Sequence, residues 1–189
     1  MRKIITTTWI TLDGFIAGPN GEMDWVIVDE EMGKYEGDIV SAADTLLLGR
    51  VTYQSFAGSW PYVPDNPNAQ LEEKEYARKL NAMRKIVFSR TLSSVEWNNS
   101  SLVGEVIPEE IVKLKQEPGR DMLIYGSASL IRTLTNHGLI DEYQLLVHPV
   151  VLGDGKPLFL DITDSHKLQL VGTKTFPSGV VGLYYQPAH

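Results

Sequence analysis

The chain has 189 residues, of which 43% are hydrophobic and 22% charged, and these values predict one globular domain over residues 1–189. Its formal net charge of −7 excludes the broad basic face of a nucleic-acid-binding protein, so any anionic ligand must be held by a local site. The absence of cysteine excludes disulfides and thiolate metal sites, and no apolar run approaches the roughly 20 residues of a membrane span, so we expect a cytoplasmic protein.

Short apolar runs alternate with helical patterns from the start of the chain to about residue 136. The runs predict strands at residues 4–9, 45–48, 85–88 and 122–125. Apolar residues at helical spacing predict helices over residues 29–43, 71–83, 108–115 and 127–136. Alternation of this kind favours an α/β fold in which a mostly parallel central sheet is flanked by helices.

The pattern changes after Gly138, the glycine that follows the last predicted helix. Three more strand-like runs follow with no convincing helix between them, at residues 142–147, 168–175 and 180–185. Pro177-Ser178-Gly179 is typical of the turn in a terminal hairpin. We therefore expect antiparallel C-terminal strands beside the parallel part of the sheet.

The segment Gly49-Arg50-Val51-Thr52 stands where an apolar strand opens directly into a helix. Free backbone N–H groups and the positive end of the helix dipole favour an anion at such a junction. Gly49 permits close approach, and Arg50 adds a permanent positive charge. The segment therefore indicates a phosphate site, although an ordinary buried strand followed by a surface arginine has the same pattern.

Two more strand ends carry groups suited to phosphate. Ser89-Arg90 follows the run at residues 85–88 and supplies a hydroxyl and a guanidinium for charge-assisted hydrogen bonds. Tyr125-Gly126-Ser127-Ala128-Ser129-Leu130 places small residues at another helix start, where backbone N–H groups can lie against a pyrophosphate. A polar strand end or plain N-capping explains either segment alone. Because ligands gather at the carboxyl ends of parallel strands, the three segments together favour one phosphate-binding edge.

These segments resemble the dihydrofolate reductase-like fold and, within it, the reductase domain of riboflavin biosynthesis, the RibD C-terminal domain. Leu12-Asp13-Gly14-Phe15-Ile16-Ala17 looks like the opening strand and loop of that family. The three phosphate segments follow in the family's order, with Ser127 in place of the second glycine of the usual pair. The tail His148-Pro149-Val150-Val151-Leu152-Gly153-Asp154-Gly155-Lys156-Pro157 is similar to the riboflavin subgroup rather than to the folate enzymes. The chain looks like a stand-alone member of that subgroup.

The resemblance implies NADPH as the cofactor. Its nicotinamide is expected near three residues of the opening segment, Trp9, Ile16 and Ala17. Its pyrophosphate is expected between the helix starts at Arg50 and Ser127, and Arg50, Ser89 and Arg90 are expected to select the 2′-phosphate that distinguishes NADPH from NADH. The resemblance also implies a homodimer formed through the later strands.

Reduction by hydride transfer also needs a proton, which a carboxylic acid or an ordered water can deliver. The family resemblance places the substrate loop and the start of the substrate-facing helix around residues 23–32. The candidate proton donors are therefore Asp29, Glu30 and Glu31. Acidic residues in a first helical turn also favour the helix dipole without any further role. Candidates for the floor beneath a flat heterocycle are Trp25, Phe56, Trp60 and Tyr125.

The expectation is an NADPH-dependent reductase that acts on a C=N or C=O bond of a small heterocyclic or sugar-linked substrate. The resemblance offers 5-amino-6-(5-phosphoribosylamino)uracil or dihydrofolate as examples. Two alternatives stay open: a catalytically silent NADPH-binding module, and a flavin or quinone reductase that needs no protein acid. No metal site is expected, because the four histidines lack metal-ligand spacing.

Overall fold

The computed structural model describes residues 1–188. Its strands are β1 (Ile4–Thr11), β2 (Phe15–Ala17), β3 (Ala43–Gly49), β4 (Arg84–Phe88), β5 (Ser100–Val103), β6 (Asp121–Tyr125), β7 (Glu142–His148), β8 (Lys156–Pro157), β9 (Leu168–Thr175) and β10 (Val181–Pro187). Its α-helices are α1 (Glu30–Ala42), α2 (Arg50–Ala57), α3 (Leu71–Ala82), α4 (Pro108–Gln116) and α5 (Ala128–Asn136). A 3-10 turn at Val63–Asp65 lies between α2 and α3.

Eight strands form one sheet in the order β5-β4-β3-β6-β1-β7-β10-β9. Neighbours from β5 to β7 run parallel, whereas β10 is antiparallel to both β7 and β9. The short strands β2 and β8 pair with each other in a separate antiparallel ribbon. The prediction of an α/β fold with a mostly parallel central sheet and antiparallel C-terminal strands is confirmed.

The direction of β7 differs from its prediction, and the edge strand β5 is not expected from the sequence. We expect antiparallel pairing for β7, but β7 also runs parallel to β1, with Ile5 opposite Glu142 and Thr11 opposite His148. The reason is α5, which lies between β6 and β7 as a helical crossover and returns the chain to the same end of the sheet. The strand β5 was not predicted, because Ser100-Ser101-Leu102-Val103 is short and half polar, as suits the edge of a sheet.

Helices cover both faces of the sheet. On one face α5 packs against β3 in a buried cluster that contains Ile131 and Leu47. On the other face α1 and α3 pack in a second cluster through Val40, Leu80 and Leu48. Leu47 and Leu48 face opposite ways because successive side chains of a strand alternate. Between the two helical layers, the carboxyl ends of the parallel strands meet at one open edge.

Candidate active site

A cleft of about 1900 Å³ lies along the carboxyl edge of the parallel strands. Its walls come from the ends of β1, β3, β4 and β6, from α1 and α3, and from the first residues of α2 and α5. Loops that follow parallel strands share this edge, which is why ligand groups collect there. The predicted cofactor residues that line the cleft are Trp9, Ile16, Ala17, Gly49, Arg50, Val51, Thr52, Ser89, Arg90, Tyr125, Gly126, Ser127, Ala128 and Ser129.

Leu130 is the predicted cofactor residue that the structure does not bring to the cleft. Its side chain is 3% exposed and belongs to the buried cluster beneath α5. As the third residue of a helix that packs on the sheet, it points into the core while the neighbouring Ser129 is exposed. The Leu130 side chain therefore takes no part in the candidate site.

The starts of α2 and α5 lie side by side and are tied together by one serine. The Ser127 hydroxyl accepts a hydrogen bond of 2.8 Å from the backbone N–H of Gly49, and it lies 2.8 Å from the hydroxyl of Thr52. A side chain at position 49 would collide with this hydroxyl, because a Cβ there would lie 2.9 Å from Ser127 Oγ. Neither helix has a side-chain cap at its first turn, so both positive dipole ends remain open to an anion.

The turn into α5 has an uncommon backbone. Gly126 has φ 52° and Ser127 has φ 54°, so two successive residues lie in the left-handed region. Serine seldom adopts this conformation. The two hydrogen bonds of Ser127 offset its cost, and the turn orients the α5 start toward α2.

Two arginines flank this pair of helix starts. Arg50 is exposed at the start of α2 and donates a hydrogen bond of 3.1 Å to Gln54, while Arg90 is exposed just after β4. Among residues 1–188 neither arginine forms an ion pair, so both charges are free for an anionic ligand. The Ser89 hydroxyl accepts hydrogen bonds of 3.1 Å from the N–H groups of Thr91 and Leu92, which hold Arg90 in a tight turn.

The three predicted proton donors lie at the start of α1, and the structure brings one of them, Glu30, to the cleft. Asp29 caps α1: its carboxylate accepts hydrogen bonds of 2.8 Å from the N–H groups of Met32 and Ser178, which lower its pKa. Glu31 points away from the cleft and pairs with Lys174 on β9 at 3.1 Å. The cleft is lined by Glu30, but this residue is exposed, and the hydrogen bond and charge of Lys34 lower the pKa of its carboxyl. All three belong to the cap and first turn of α1, which lie at the surface.

Glu36 is a buried carboxyl group in the cleft that the sequence patterns did not indicate. It lines the cleft from α1, is 9% exposed, and accepts a hydrogen bond of 2.6 Å from the indole N–H of Trp9. Burial raises the pKa of Glu36 to about 7, against the lowering effect of the Trp9 hydrogen bond. The sequence signal that could have identified Glu36 is its spacing. It lies four residues from Met32 and four from Val40, in the buried stripe of α1.

Aromatic side chains surround the cleft next to Glu36. The Tyr76 hydroxyl donates a hydrogen bond of 3.1 Å to Tyr125, and the ring centroids of Trp60 and Tyr76 are 5.1 Å apart in an edge-on arrangement. Phe56 packs against Tyr125 with ring centroids 5.7 Å apart. Trp25 lies outside this group and packs edge-on against His148 at 5.1 Å. The remaining rings form a wall suited to a flat heterocycle.

Residues 1–188 contain no group of three or more histidine, aspartate or glutamate side chains placed to hold a metal ion. None of their helices has the length and hydropathy of a membrane span.

The fold and the cleft define an α/β protein of the dihydrofolate reductase-like class. Dihydrofolate reductase from Enterococcus faecalis, complexed with NADP(H) and RAB-propyl, superposes with a TM-score of 0.63 at 15% identity, covering 99% of this chain and 97% of that chain. A protein from Shewanella sp. PV-4 named for riboflavin biosynthesis superposes with a TM-score of 0.78 at 21% identity, covering 99% of both chains.

Sequence comparison places the chain within one family. Residues 2–182 match the RibD C-terminal domain, and the chain belongs to that family, whose members include reductase domains. The uncharacterized protein YyaP of Bacillus subtilis (strain 168) is 45% identical over 184 residues, which cover 97% of this chain and 94% of the relative. The predicted resemblance to the riboflavin reductase subgroup is confirmed.

Proposed function

We propose that this protein is an NADPH-dependent reductase that transfers a hydride to a C=N or C=O bond of a small heterocyclic or sugar-linked substrate. The observation that carries the proposal is that a buried carboxyl group, Glu36, lines the same cleft as two open helix starts. A proton source and a phosphate-binding edge thus border one cavity. Hydride reduction with a proton needs both.

The part of the cleft beside the starts of α2 and α5 carries hydrogen-bond donors and positive charges that suit NADPH, and we call it the cofactor half. The N–H groups at the starts of α2 and α5 would hold the diphosphate, with Gly49 and Gly126 permitting close approach. The free charges of Arg50 and Arg90 would bind the 2′-phosphate beside the Ser89 hydroxyl. When bound, the reduced nicotinamide supplies the hydride.

The protein's own contribution to the chemistry is to hold and deliver a proton at Glu36. The Trp9 indole N–H donates a hydrogen bond to Oε1 of Glu36. Among residues 1–188, Oε2 of Glu36 accepts no hydrogen bond and can face a substrate. With a pKa near 7 the carboxyl is about half protonated at neutral pH, which suits a group that gives up and regains a proton. During the reduction Glu36 would give its proton to the nitrogen or oxygen of the double bond, and solvent would return a proton to Glu36.

The cofactor assignment is tested with Arg50→Ala/Arg90→Ala. We expect the Kd for NADPH to rise about tenfold or more and the Kd for NADH to change about twofold at most, because only NADPH carries the charge that these arginines bind. Isothermal titration calorimetry measures both values. Arg78→Ala/Lys113→Ala removes two exposed charges outside the cleft and serves as the matched control. A double variant that kept the preference for NADPH would contradict the assignment.

The role of Glu36 is tested with Glu36→Gln. Consumption of NADPH is followed by nicotinamide absorbance against dihydrofolate, 5-amino-6-(5-phosphoribosylamino)uracil and riboflavin. We expect the variant to lose about a hundredfold or more in kcat while its Kd for NADPH stays within about twofold. Asp29→Asn and Glu31→Gln remove the same charge outside the cleft and should retain turnover. Wild-type protein that binds NADPH but consumes none would favour a silent module, and full turnover in Glu36→Gln would exclude Glu36 as the donor.

A further inference from the structure

His148 is a fully buried histidine at the end of β7, with a side chain that is 0% exposed. Its Nδ1 lies 3.0 Å from the carbonyl oxygen of Leu146, and its Nε2 lies 3.2 Å from that of Ile27, in the segment before α1. Burial lowers the pKa of His148, and among residues 1–188 no acidic side chain forms an ion pair with it. The ring is therefore neutral at pH 7, and its single N–H can donate to one of the two carbonyls at a time.

Two indole rings pack against His148. The Trp25 ring meets it edge-on with ring centroids 5.1 Å apart, and the Trp9 ring lies at 6.2 Å with an interplanar angle of 59°. Both distances fall within the range of roughly 4.5–7 Å that is typical of aromatic pairs. In the sheet His148 pairs with Thr11 of β1, two positions beyond Trp9, so both side chains project from the same face. His148 thus connects the segment before α1 with Trp9.

Trp9 supplies the hydrogen bond that Glu36 receives. Its indole N–H donates to Oε1 of Glu36 at 2.6 Å, and within residues 1–188 Glu36 accepts no other hydrogen bond. Trp9 is half-buried, so the direction of its N–H depends on the side chains that pack against its ring. Removal of the His148 ring would leave a cavity into which the indole can turn.

We infer that His148 is a positioning residue that directs the Trp9 indole N–H to Oε1 of Glu36. The inference rests on the proposed function, in which Glu36 delivers the proton, and it adds a residue that does not line the cleft. The contacts with Leu146 and Ile27 fix the His148 ring, and that ring fixes Trp9. A proton donor acts only within a narrow geometry, which is the reason for support of this kind.

The Glu36 pKa reports the Trp9 hydrogen bond, because that bond lowers it. Carbon-13 NMR of the labelled side-chain carboxyl, followed against pH in the full chain, measures this pKa. We expect His148→Ala to raise the Glu36 pKa by about one pH unit, the effect of losing a hydrogen bond to a charged group. His166→Ala removes an exposed histidine outside the cleft and is the matched control, which should leave the value unchanged.

The other titratable groups that interact with Glu36 are three tyrosines, Tyr35, Tyr76 and Tyr125. Burial raises the pKa of each tyrosine, and the charge of Glu36 raises it further. They stay neutral while Glu36 titrates and cannot produce the expected change. Burial and the Trp9 hydrogen bond are the causes that act on the Glu36 pKa itself.

A double variant shows whether His148 acts through Trp9. Trp9→Phe removes the donor itself and should raise the Glu36 pKa at least as much as His148→Ala does. Adding His148→Ala to Trp9→Phe should then change the pKa by less than about 0.3 pH units, because the bond that His148 supports is already gone. Additive effects of the two substitutions, or an unchanged Glu36 pKa in His148→Ala, would overturn the inference.

His148→Phe tests the ring apart from its polar contacts. Phenylalanine fills the same space and packs against Trp9, so the Glu36 pKa should stay within about 0.3 pH units of wild type. His148→Leu fills most of the cavity without a ring, which keeps the test valid should the alanine variant fail to fold, and it should raise the pKa by less than alanine does. A pKa as high in His148→Phe as in His148→Ala, or a wild-type pKa in His148→Leu, would contradict a positioning role for the ring.

Turnover gives a second readout and separates this inference from the proposed function. With a substrate that the wild type reduces, His148→Ala should lower kcat about tenfold and change KM about threefold at most, because the proton donor is displaced while the binding surface remains. A change in KM alone would contradict the inference. Wild-type protein that consumes no NADPH contradicts the proposed function, whereas an unchanged Glu36 pKa in folded His148→Ala contradicts the role of His148 whatever the turnover.

Discussion

At Glu36 a carboxyl group stands in the middle of a buried helix face, between Met32 and Val40. Acidic residues are rare in such positions, because burial of a charge without a counter-ion costs free energy. Here a single hydrogen bond from Trp9 supports the charged form, and it does not compensate for the lost solvent. The carboxyl group therefore keeps its proton to a higher pH than an exposed glutamate does.

Because burial raises the pKa of Glu36, the free energy of unfolding should depend on pH, and Glu36→Gln should abolish that dependence. The pKa rises from 4.5 to about 7 on folding, so the unfolded chain loses the proton first and wild-type stability falls as pH rises between these values. The variant should therefore match wild type near pH 4.5 and exceed it by up to about 3 kcal/mol above pH 7. Urea unfolding at about pH 5 and 8 measures the difference.

The control for that measurement is Glu31→Gln, which changes an acidic residue of the same helix at its exposed start. Its effect on the free energy of unfolding should stay within about 0.5 kcal/mol of wild type at both pH values. A Glu36→Gln effect of the same size at both pH values would show that the folded and unfolded pKa values do not differ.

Among the elements, α1 is fixed to its surroundings at its start and lines the cleft from its middle. Its start is a capped surface turn, in which Asp29 binds the N–H groups of Met32 and Ser178 and so connects the helix to the turn before β10. Its middle carries Glu36 into the cleft. The acidic first turn favours the helix dipole, and the assignment of Glu30 or Glu31 as a proton donor stays a prediction.

The sheet has two unlike edges. At one edge β5 is short and half polar, and at the other β9 is eight residues long with exposed Leu168, Leu170 and Val171. A long edge strand with apolar side chains is a surface that proteins normally cover, by a helix, a loop or a second chain. Within residues 1–188 no element covers it, because β9 pairs with β10 alone.

For the whole molecule, the homodimer implied by the family resemblance stays a prediction, and β9 is the surface that we propose for it. Light scattering should give twice the chain mass of 21.1 kDa. Leu170→Lys/Val171→Lys places two charges on this strand and should give the monomer mass. The control Val112→Lys, at an exposed position of α4, should leave the dimer intact. A wild-type protein at the monomer mass would contradict the prediction.

Alternating apolar runs and helical periods predict the mostly parallel sheet, because these signals lie in neighbouring residues. The helix starts at Arg50 and Ala128 could be located for the same reason, since a strand that ends in glycine or small residues and opens into a helix is a local pattern. The parallel direction of β7 could not be predicted, because strand direction depends on the crossover through α5 and not on the residues of β7.

The sequence by itself determined the fold class and the three segments that meet at the carboxyl edge of the parallel strands, because each signal lies in contiguous residues. Only the tertiary structure decided which buried acid lines the cleft. Burial raises the pKa of Glu36, the hydrogen bond from Trp9 lowers it, and Trp9 lies 27 positions away in the chain. The link between Ser127 and Gly49 spans 78 positions. Contacts of this range arise from the way the helices pack on the sheet, which no local pattern encodes.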